Sequence, residues 1–479
     1  MDNIDIATNN VKSYNYSEIK EKNLEILELS EKKSELKVEG EIKGFLREEE
    51  RIKAVAICFS DIEGRFHMLD YDKNFFLKSA DNLTFDGSSV RGFSELKESD
   101  LRLIPDWGST RVAPEDIFGI GKVIMFADVY GNDNKPYHAD FRAQLKEYAK
   151  KLEKTKGLMP MAAAEVEGFL MDGQDAEQNY TKSRNFKLIS SGGYYHSLPL
   201  DSLKQFIDKA ATVQRVMAFN NEKDHPEVAP SQFEMNFSYT DVVRACDNIS
   251  LYKLICRQVA ENMGMTATFL PKPKKGINGS GMHLNISFSK GGKNIFYDKK
   301  GKDGLSKFAW DATSKILNHA SELCLIFNSS VNSYRRLDPN FEAPNQIEVS
   351  AKDRGSMIRI PAGNEKTARF EVRSVAPDAN SYLAIFSIIK TIIEGEKEEK
   401  IENKRERVKF LSSNIHDAIR QFRRGELTDK ILGEEAKESY LNLKEEVADR
   451  SPKELGRYIK KDEILFHHEV TNQVLWDKF

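Results

Sequence analysis

The sequence predicts an α+β protein of two domains. Its 479 residues exceed what one small core organises. Strand-like segments with alternating hydrophobicity fall into two groups, one at 54–69 and one spread over 162–373. Longer stretches with helical spacing accompany the second group. With 40% hydrophobic and 31% charged residues, the chain fits a soluble globular enzyme with a heavily charged surface. A net charge of −3 and a pI near 6.4 speak against bulk nucleic-acid binding. Cys58, Cys246, Cys256 and Cys324 are scattered with no CxxC pair, which reads as reduced thiols rather than a disulfide framework or zinc site. No apolar run has the length of a membrane span, and residues 1–30 lack a signal-peptide core. The expected location is the cytoplasm, with no membrane or nucleic-acid partner.

Residues 1–48 are Lys/Glu/Asn/Ser-rich with a weak helical rhythm, and are expected to form an extension of one helix with little chemistry. Ala54 to Phe59 is a strand, Ser60 to Gly64 a turn, and Arg65 to Leu69 a returning strand. Phe85-Asp86-Gly87-Ser88-Ser89 reads as a turn, with Glu98-Ser99-Asp100 further on. Phe141 to Leu152 has helical spacing and opens the larger domain.

In Ala162-Ala163-Ala164-Glu165-Val166-Glu167-Gly168, the two glutamates lie on one face of a strand with small and apolar flanks. Two carboxylates there repel and lose hydration, which is costly unless a cation neutralises them. Solvated glutamates on an edge strand would have polar flanks instead. Gly192-Gly193-Tyr194-Tyr195 follows, then a helix over Leu203 to Phe219. After Asp224-His225-Pro226-Glu227, the run Ser231 to Phe237 places Gln232, Glu234 and Asn236 on one face and three apolar residues on the other. Val243 to Met263 is an amphipathic core helix.

Lys272-Pro273 leads into Asn278-Gly279-Ser280-Gly281, a Gly-bracketed loop that can bring backbone close to a ligand. Beyond it Met282, Leu284, Ile286 and Phe288 face one way, and His283, Asn285 and Ser287 the other. Trp310 to Asn328 is a core helix. Asn332 to Leu337, Phe341-Glu342-Ala343-Pro344 and Arg354 to Pro361 precede Arg369-Phe370-Glu371-Val372-Arg373, again with three charges on one face. After Lys390 the chain is Lys/Glu-rich and helical, a solvated face with no site. The faces at 165/167, 232/234/236, 283/285/287 and 369/371/373 predict one funnel lined by all four. Glutamates in such a funnel call for hard divalent cations such as Mg²⁺ or Mn²⁺.

Lys-Pro followed by Asn-Gly-Ser-Gly-x-His-x-x-x-Ser, together with Asp-Gly-Ser-Ser and Glu-Ser-Asp, resembles the signatures of the glutamine synthetases of the ring-forming bacterial and archaeal type. The resemblance covers about Val55 to Leu383. It implies a small β-grasp-like domain at 49–135 after an extension at 1–48. A large catalytic domain at 136–479 would follow, its antiparallel sheet forming a funnel flanked by helices. Two or more Mg²⁺ (or Mn²⁺) per site are implied, one on Glu167, Glu227 and Glu234, the other on Glu165, His283 and Glu371.

By the same resemblance, Asn278, Gly279, Arg336, Glu342 and Arg373 grip glutamate, Glu342 also acting in catalysis from a flap that closes over the acyl phosphate. Asn285, Ser287, Arg354, Arg359, Lys366 and Arg369 take ATP, Arg354 also acting in catalysis. Asp86, Ser89, Tyr194 and Glu227 form an ammonium pocket, Asp86 being the base. The implied reaction is ATP-dependent joining of ammonia to glutamate through γ-glutamyl phosphate, in a homododecamer of two stacked hexameric rings with sites shared between subunits. Alternatives are a relative joining glutamate to a polyamine or ethanolamine, and a non-catalytic structural relative. Departures from the family pattern are Gly168 for an aromatic, Ser231 for glycine, Lys352-Asp353-Arg354-Gly355 for Arg-Asn-Arg-Ser, and Lys274.

Overall fold

The computed structural model describes residues 13–94, 100–177, 186–197, 199, 201–337, 343–397 and 408–453. Glu98 and Ser99 of the second motif, and Phe341 and Glu342 of the expected flap, lie outside them. The α+β architecture is as predicted, with two separate sheets.

Residues 16–48 form two helices rather than the one expected, α1 (Tyr16–Lys32) and α2 (Glu35–Glu48). Asn15 caps α1 through the backbone N–H groups of Ser17 and Glu18, and the Glu18 carboxylate accepts from Asn15 in return. Ser34, extended at φ −66° and ψ 152°, ends that helix and starts the next. Nor are these helices an appendage. Asn23, fully buried, donates to the carbonyls of Val112 and Val216 at 2.9 Å each and accepts from Val112 N at 2.7 Å.

The first sheet holds β1 (Ala54–Ser60), β2 (Phe66–Asp72), β3 (Leu83–Asp86), β4 (Asp100–Pro105), β5 (Arg111–Val112) and β6 (Lys122–Tyr130), in the order β2-β1-β6-β4-β3 with β5 on β6. The apolar run of β1 follows from its central place, antiparallel to β2 and parallel to β6. Helix α3 (Lys73–Ser79), capped by Asp72, and the short α4 (Glu115–Phe118) complete this unit.

The second sheet is built on β7 (Met159–Asp172), a 14-residue strand. Around it lie β8 (Asn221–Pro226), β9 (Gln232–Phe237), β10 (Thr240–Asp241), β11 (Met265–Thr268), β12 (Met282–Lys290), β13 (Lys293–Asn294), β14 (Gln346–Ser350), β15 (Ser356–Arg359) and β16 (Phe370–Val372). The order is β14-β15-β16-β12-β7-β9-β8, antiparallel except for β14 with β15. One face is covered by helices. These are α5 (Phe141–Lys156), α6 (Ser202–Val216), α7 (Val242–Asn262), α8 (Lys307–Asn318), α9 (Ala320–Phe327), α10 (Val331–Arg336) and α11 (Ser381–Glu394). Apolar on every side, α11 packs among α5, α7 and α8. The expected helix over 310–328 is in fact α8 and α9, broken at His319. None of the described helices is long and apolar enough to cross a membrane.

The last described residues form α12 (Ile415–Arg424), α13 (Glu426–Leu432) and α14 (Glu434–Lys453). Their charges are not all solvated, contrary to expectation. Lys444 Nζ lies 2.8 Å from Glu63 Oε1, both side chains buried, so α14 is clamped to the β1–β2 turn. Asn380 Nδ2 donates to the Ile62 carbonyl of that turn at 3.1 Å.

The two sheets are joined by a buried ionic knot. Arg142 of α5 donates to both oxygens of Asp247 (2.9 and 2.8 Å) and to Asp106 (2.9 Å), and pairs with Asp128. Lys146 reaches Asp106 at 2.9 Å and Asp128 at 2.8 Å. Replacing Arg142 by methionine strands buried carboxylates. We expect a loss of about 3–5 kcal/mol in stability, read from the midpoint of urea unfolding. A change below about 1 kcal/mol would show that the knot is not needed to hold the two sheets together.

Candidate active site

The strand pairing brings the predicted faces together. Glu165 of β7 lies opposite His283 of β12. Asn285 lies opposite Glu371 of β16, which lies opposite Arg359 of β15. On the other side of β7, Glu167 faces Glu234 of β9, and Glu234 faces His225 of β8. Alternation along β7 buries Ala162, Ala164 and Val166 in the core and turns Glu165 and Glu167 to the open face. The result is a polar pocket of about 300 Å³.

Two groups of ligand-type atoms form there, each gathered within 4.8 Å, and all of their members but His225 line the pocket. The first brings together Glu165, His283 and Glu371. His283 Nδ1 is 3.5 Å from Glu371 Oε1 and 3.8 Å from Glu165 Oε2. Burial works against the charged form of Glu165, but His283, Asn285 (3.1 Å) and Arg359 outweigh it and hold the carboxyl down to about 2. Arg359 Nε donates to Glu371 Oε2 at 2.7 Å, and Arg373 Nε lies 3.2 Å from Oε1.

The second group is Glu227, Glu234 and His225, and sequence reasoning missed the histidine. Its Nδ1 lies 3.0 Å from the Pro226 carbonyl, which can only accept, so Nδ1 carries the proton. Burial lowers the His225 pKa and keeps the ring neutral. The buried Nε2 therefore offers a lone pair with no hydrogen-bond partner, 3.7 Å from Glu234 Oε1. Burial, followed by repulsion from Glu167, pushes Glu227 up to about 7. Glu234 is raised for the same two reasons. Glu167 sits between the groups. Its Oε2 accepts from Gly281 N at 2.7 Å, and its Oε1 is 4.0 Å from His283 Nε2. The donor set suits a hard cation in each group.

Arginines ring the carboxylates. Arg336 is buried and donates from Nη2 to the Arg373 carbonyl at 2.9 Å, while its buried Nη1 has no hydrogen-bond partner. Arg354, Arg359, Arg369 and Arg373 line the same pocket, with Asn278, Gly279 and Tyr194. Arg369 Nε donates to Asn285 Oδ1 at 2.8 Å. Gly281 is required by close approach, since a Cβ there would meet His283 Nε2 at 2.5 Å and Arg336 Nη2 at 2.7 Å.

Two departures noted in the sequence have structural accounts. A Cβ on Gly168 would meet Phe233 Cζ at 2.6 Å, so the Phe233 ring takes up the space beside it. Ser231 has a left-handed backbone, φ 61°, the conformation that favours glycine. Here its Oγ accepts from the backbone of Ile189 (2.8 Å) and Ser190 (2.9 Å).

Five of the described residues expected in the site are absent from the pocket walls, among them Asn285, which touches the site through its hydrogen bonds to Glu165 and Arg369. Ser287 and Lys366 lie outside them, on β12 and in the turn before β16. Asp86 and Ser89 belong to the first sheet and the turn after it. Asp86 accepts from the hydroxyls of Ser88 and Ser89 at 2.6 Å each, which lowers its pKa while it stays exposed.

Comparison with known proteins finds relatives along most of the chain. Residues 51–132 match the family model described as glutamine synthetase, beta-Grasp domain, and residues 138–458 that described as glutamine synthetase, catalytic domain. The chain is 35% identical over 414 residues to glutamine synthetase of Staphylococcus aureus (strain MRSA252), covering 83% of this chain and 92% of that one. It is 34% identical over 433 residues to glutamine synthetase of Thermotoga maritima, covering 87% and 96%. Among solved structures, Plasmodium falciparum glutamine synthetase superimposes with a TM-score of 0.77 at 20% identity, covering 89% of this chain and 98% of that one. A GmaS/ADP complex does so with 0.76 at 23%, covering 88% and 99%. At those identities the likeness is one of fold.

Proposed function

Because the chain belongs to the glutamine synthetase family, we propose that it joins ammonia to L-glutamate at the expense of ATP, giving L-glutamine, ADP and phosphate. The observation that carries this reading is the pair of carboxylate–imidazole groups in one arginine-ringed pocket. Such a pocket suits a polyanionic nucleotide beside a carboxylate substrate.

Glu165, His283 and Glu371 would hold one Mg²⁺ or Mn²⁺. Glu227 and Glu234, with His225 and Glu167 beside them, would hold another. Bound divalent cations supply positive charge to the oxygens of the transferring phosphoryl group. Arg336 and Arg373 orient glutamate, and Arg354, Arg359 and Arg369 face the phosphates. The glutamate γ-carboxylate attacks the γ-phosphorus, ADP leaves, and γ-glutamyl phosphate remains. Ammonium gives a proton to Asp86, and the resulting ammonia attacks the acyl carbon; the bond from that carbon to the phosphate oxygen breaks, and the departing phosphate takes the second proton that the new amide nitrogen sheds.

Asp86 and Ser89 reach such a site most simply from a neighbouring subunit, in the proposed ring of six stacked as twelve. In this reading 49–135 and 136–479 are the two working units. The test is phosphate release with ATP, glutamate and a panel of amines. We expect turnover with ammonia at least tenfold above ethanolamine and putrescine. Preference for a larger amine would reassign the acceptor, and no turnover with any would remove the activity.

His225 offers a sharper check. His225→Phe keeps a ring against Tyr194 and Tyr195 (centroids at 5.6 and 4.8 Å) but removes the nitrogen. Mn²⁺ affinity, followed by electron paramagnetic resonance, is expected to fall by about tenfold or more. Unchanged affinity would limit His225 to packing.

A further inference from the structure

A second cleft, of about 640 Å³, opens between α1 and α2, the first sheet and the start of α7. Leu36, Trp107 and Val243 give it carbon surface, and ionised side chains line the rest. Most of those charges are answered within the wall. Arg142 and Lys146 belong to the ionic knot, Lys150 pairs with Glu35, and Arg244 pairs with Glu31 and Asp241.

Arg111 is different. It lies on β5, is 6% exposed, and donates from Nη1 to the Thr110 carbonyl at 2.8 Å. Among the described residues no carboxylate lies within ion-pair distance of it. A guanidinium has five N–H donors, and burying one without a counter-anion is costly. Burial depresses its pKa to about 10 against the opposing charges of Asp247, Asp106 and Glu31, and after burial the largest contribution comes from the second guanidinium, that of Arg244. Both line the cleft.

We infer that this cleft binds a small organic carboxylate, its anionic end between Arg111 and Arg244 and its carbon chain against Leu36, Trp107 and Val243. Inorganic phosphate would satisfy the arginines but leave the carbon surface wet. The ligand would bridge β5 of the first sheet to α7, which follows directly on β9 and β10. Occupancy is therefore placed to stiffen the seam between the first sheet and the strand that carries Glu234. The inference does not depend on the proposed reaction.

Isothermal titration of the full chain with acetate, succinate, glutarate and inorganic phosphate tests it. The proteins compared are the parent, Arg111→Gln, Arg244→Gln and Arg336→Ala. At least one organic acid is expected to saturate the parent and Arg336→Ala alike. Its Kd should weaken about tenfold or more in Arg111→Gln, which is about 1.4 kcal/mol, and several-fold in Arg244→Gln. Arg244 is a partly exposed residue on a helix surface, so its variant keeps the test usable if Arg111→Gln does not fold. Loss of binding only in Arg336→Ala would assign the acid to the active-site pocket and overturn the inference. No saturation by any acid below about 10 mM, equal binding in both cleft variants, or phosphate bound as tightly as the acids would do the same.

Discussion

Exhaustive removal of divalent cations is expected to lower amide formation by about 10⁴-fold or more, which is about 5.5 kcal/mol in barrier. Glu165, Glu167, Glu227, Glu234 and Glu371 crowd one pocket of about 300 Å³. Two unit charges 4 Å apart repel by about 4 kcal/mol at an effective dielectric of 20. A triphosphate entering that pocket unaccompanied meets this repulsion several times over, and five arginines do not cancel it at the carboxylates themselves. Circular dichroism should stay unchanged, because the core beneath β7 and β12 is apolar and independent of the cation. Adding Mg²⁺ back should restore activity, and Glu234→Ala should need far more of it. Chelated enzyme retaining a tenth of its activity would sink the assignment of the two groups.

Mixing two inactive variants is expected to restore about a quarter of wild-type activity. Asp86→Ala removes the proposed base and Arg336→Ala the proposed glutamate grip. If each site takes its first-sheet residues from one subunit and its pocket from the next, random assembly of equal amounts pairs two intact halves at about one interface in four. The parents should each stay near background. Co-expressed chains as inactive as their parents would instead mean that every subunit builds its own site. The exposed position of Asp86, away from the pocket walls of its own chain, is what motivates this expectation.

The strand faces were legible because alternation is a local property. Glu165 with Glu167, and His283 with Asn285, could be read from spacing alone. Register was not legible, and His225 shows why. It neighbours Pro226 on β8 and joins the site only because pairing sets it opposite Glu234. Nothing in the order of residues around it announces that contact. Asn23 was invisible for a related reason, since a polar residue on α1 adds nothing to an apolar stripe, yet it pins the helix to β5 and α6. Charge runs misled in the opposite direction. Lys444 sits in a Lys/Glu-rich segment that reads as solvated, and burial was decided by Glu63, 381 positions earlier.

That pairing has a consequence for how the chain is made. On a ribosome adding about 5–20 residues per second, Glu63 emerges some 20–75 seconds before Lys444. Through that interval the β1–β2 turn carries a carboxylate meant for a dry environment, with its cation not yet synthesised. Asn380, which also bonds the turn, is late as well. That corner of the amino-terminal sheet therefore lacks these contacts in a nascent chain until Asn380 and Lys444 have emerged. A chaperone that shields the corner would find its binding window there.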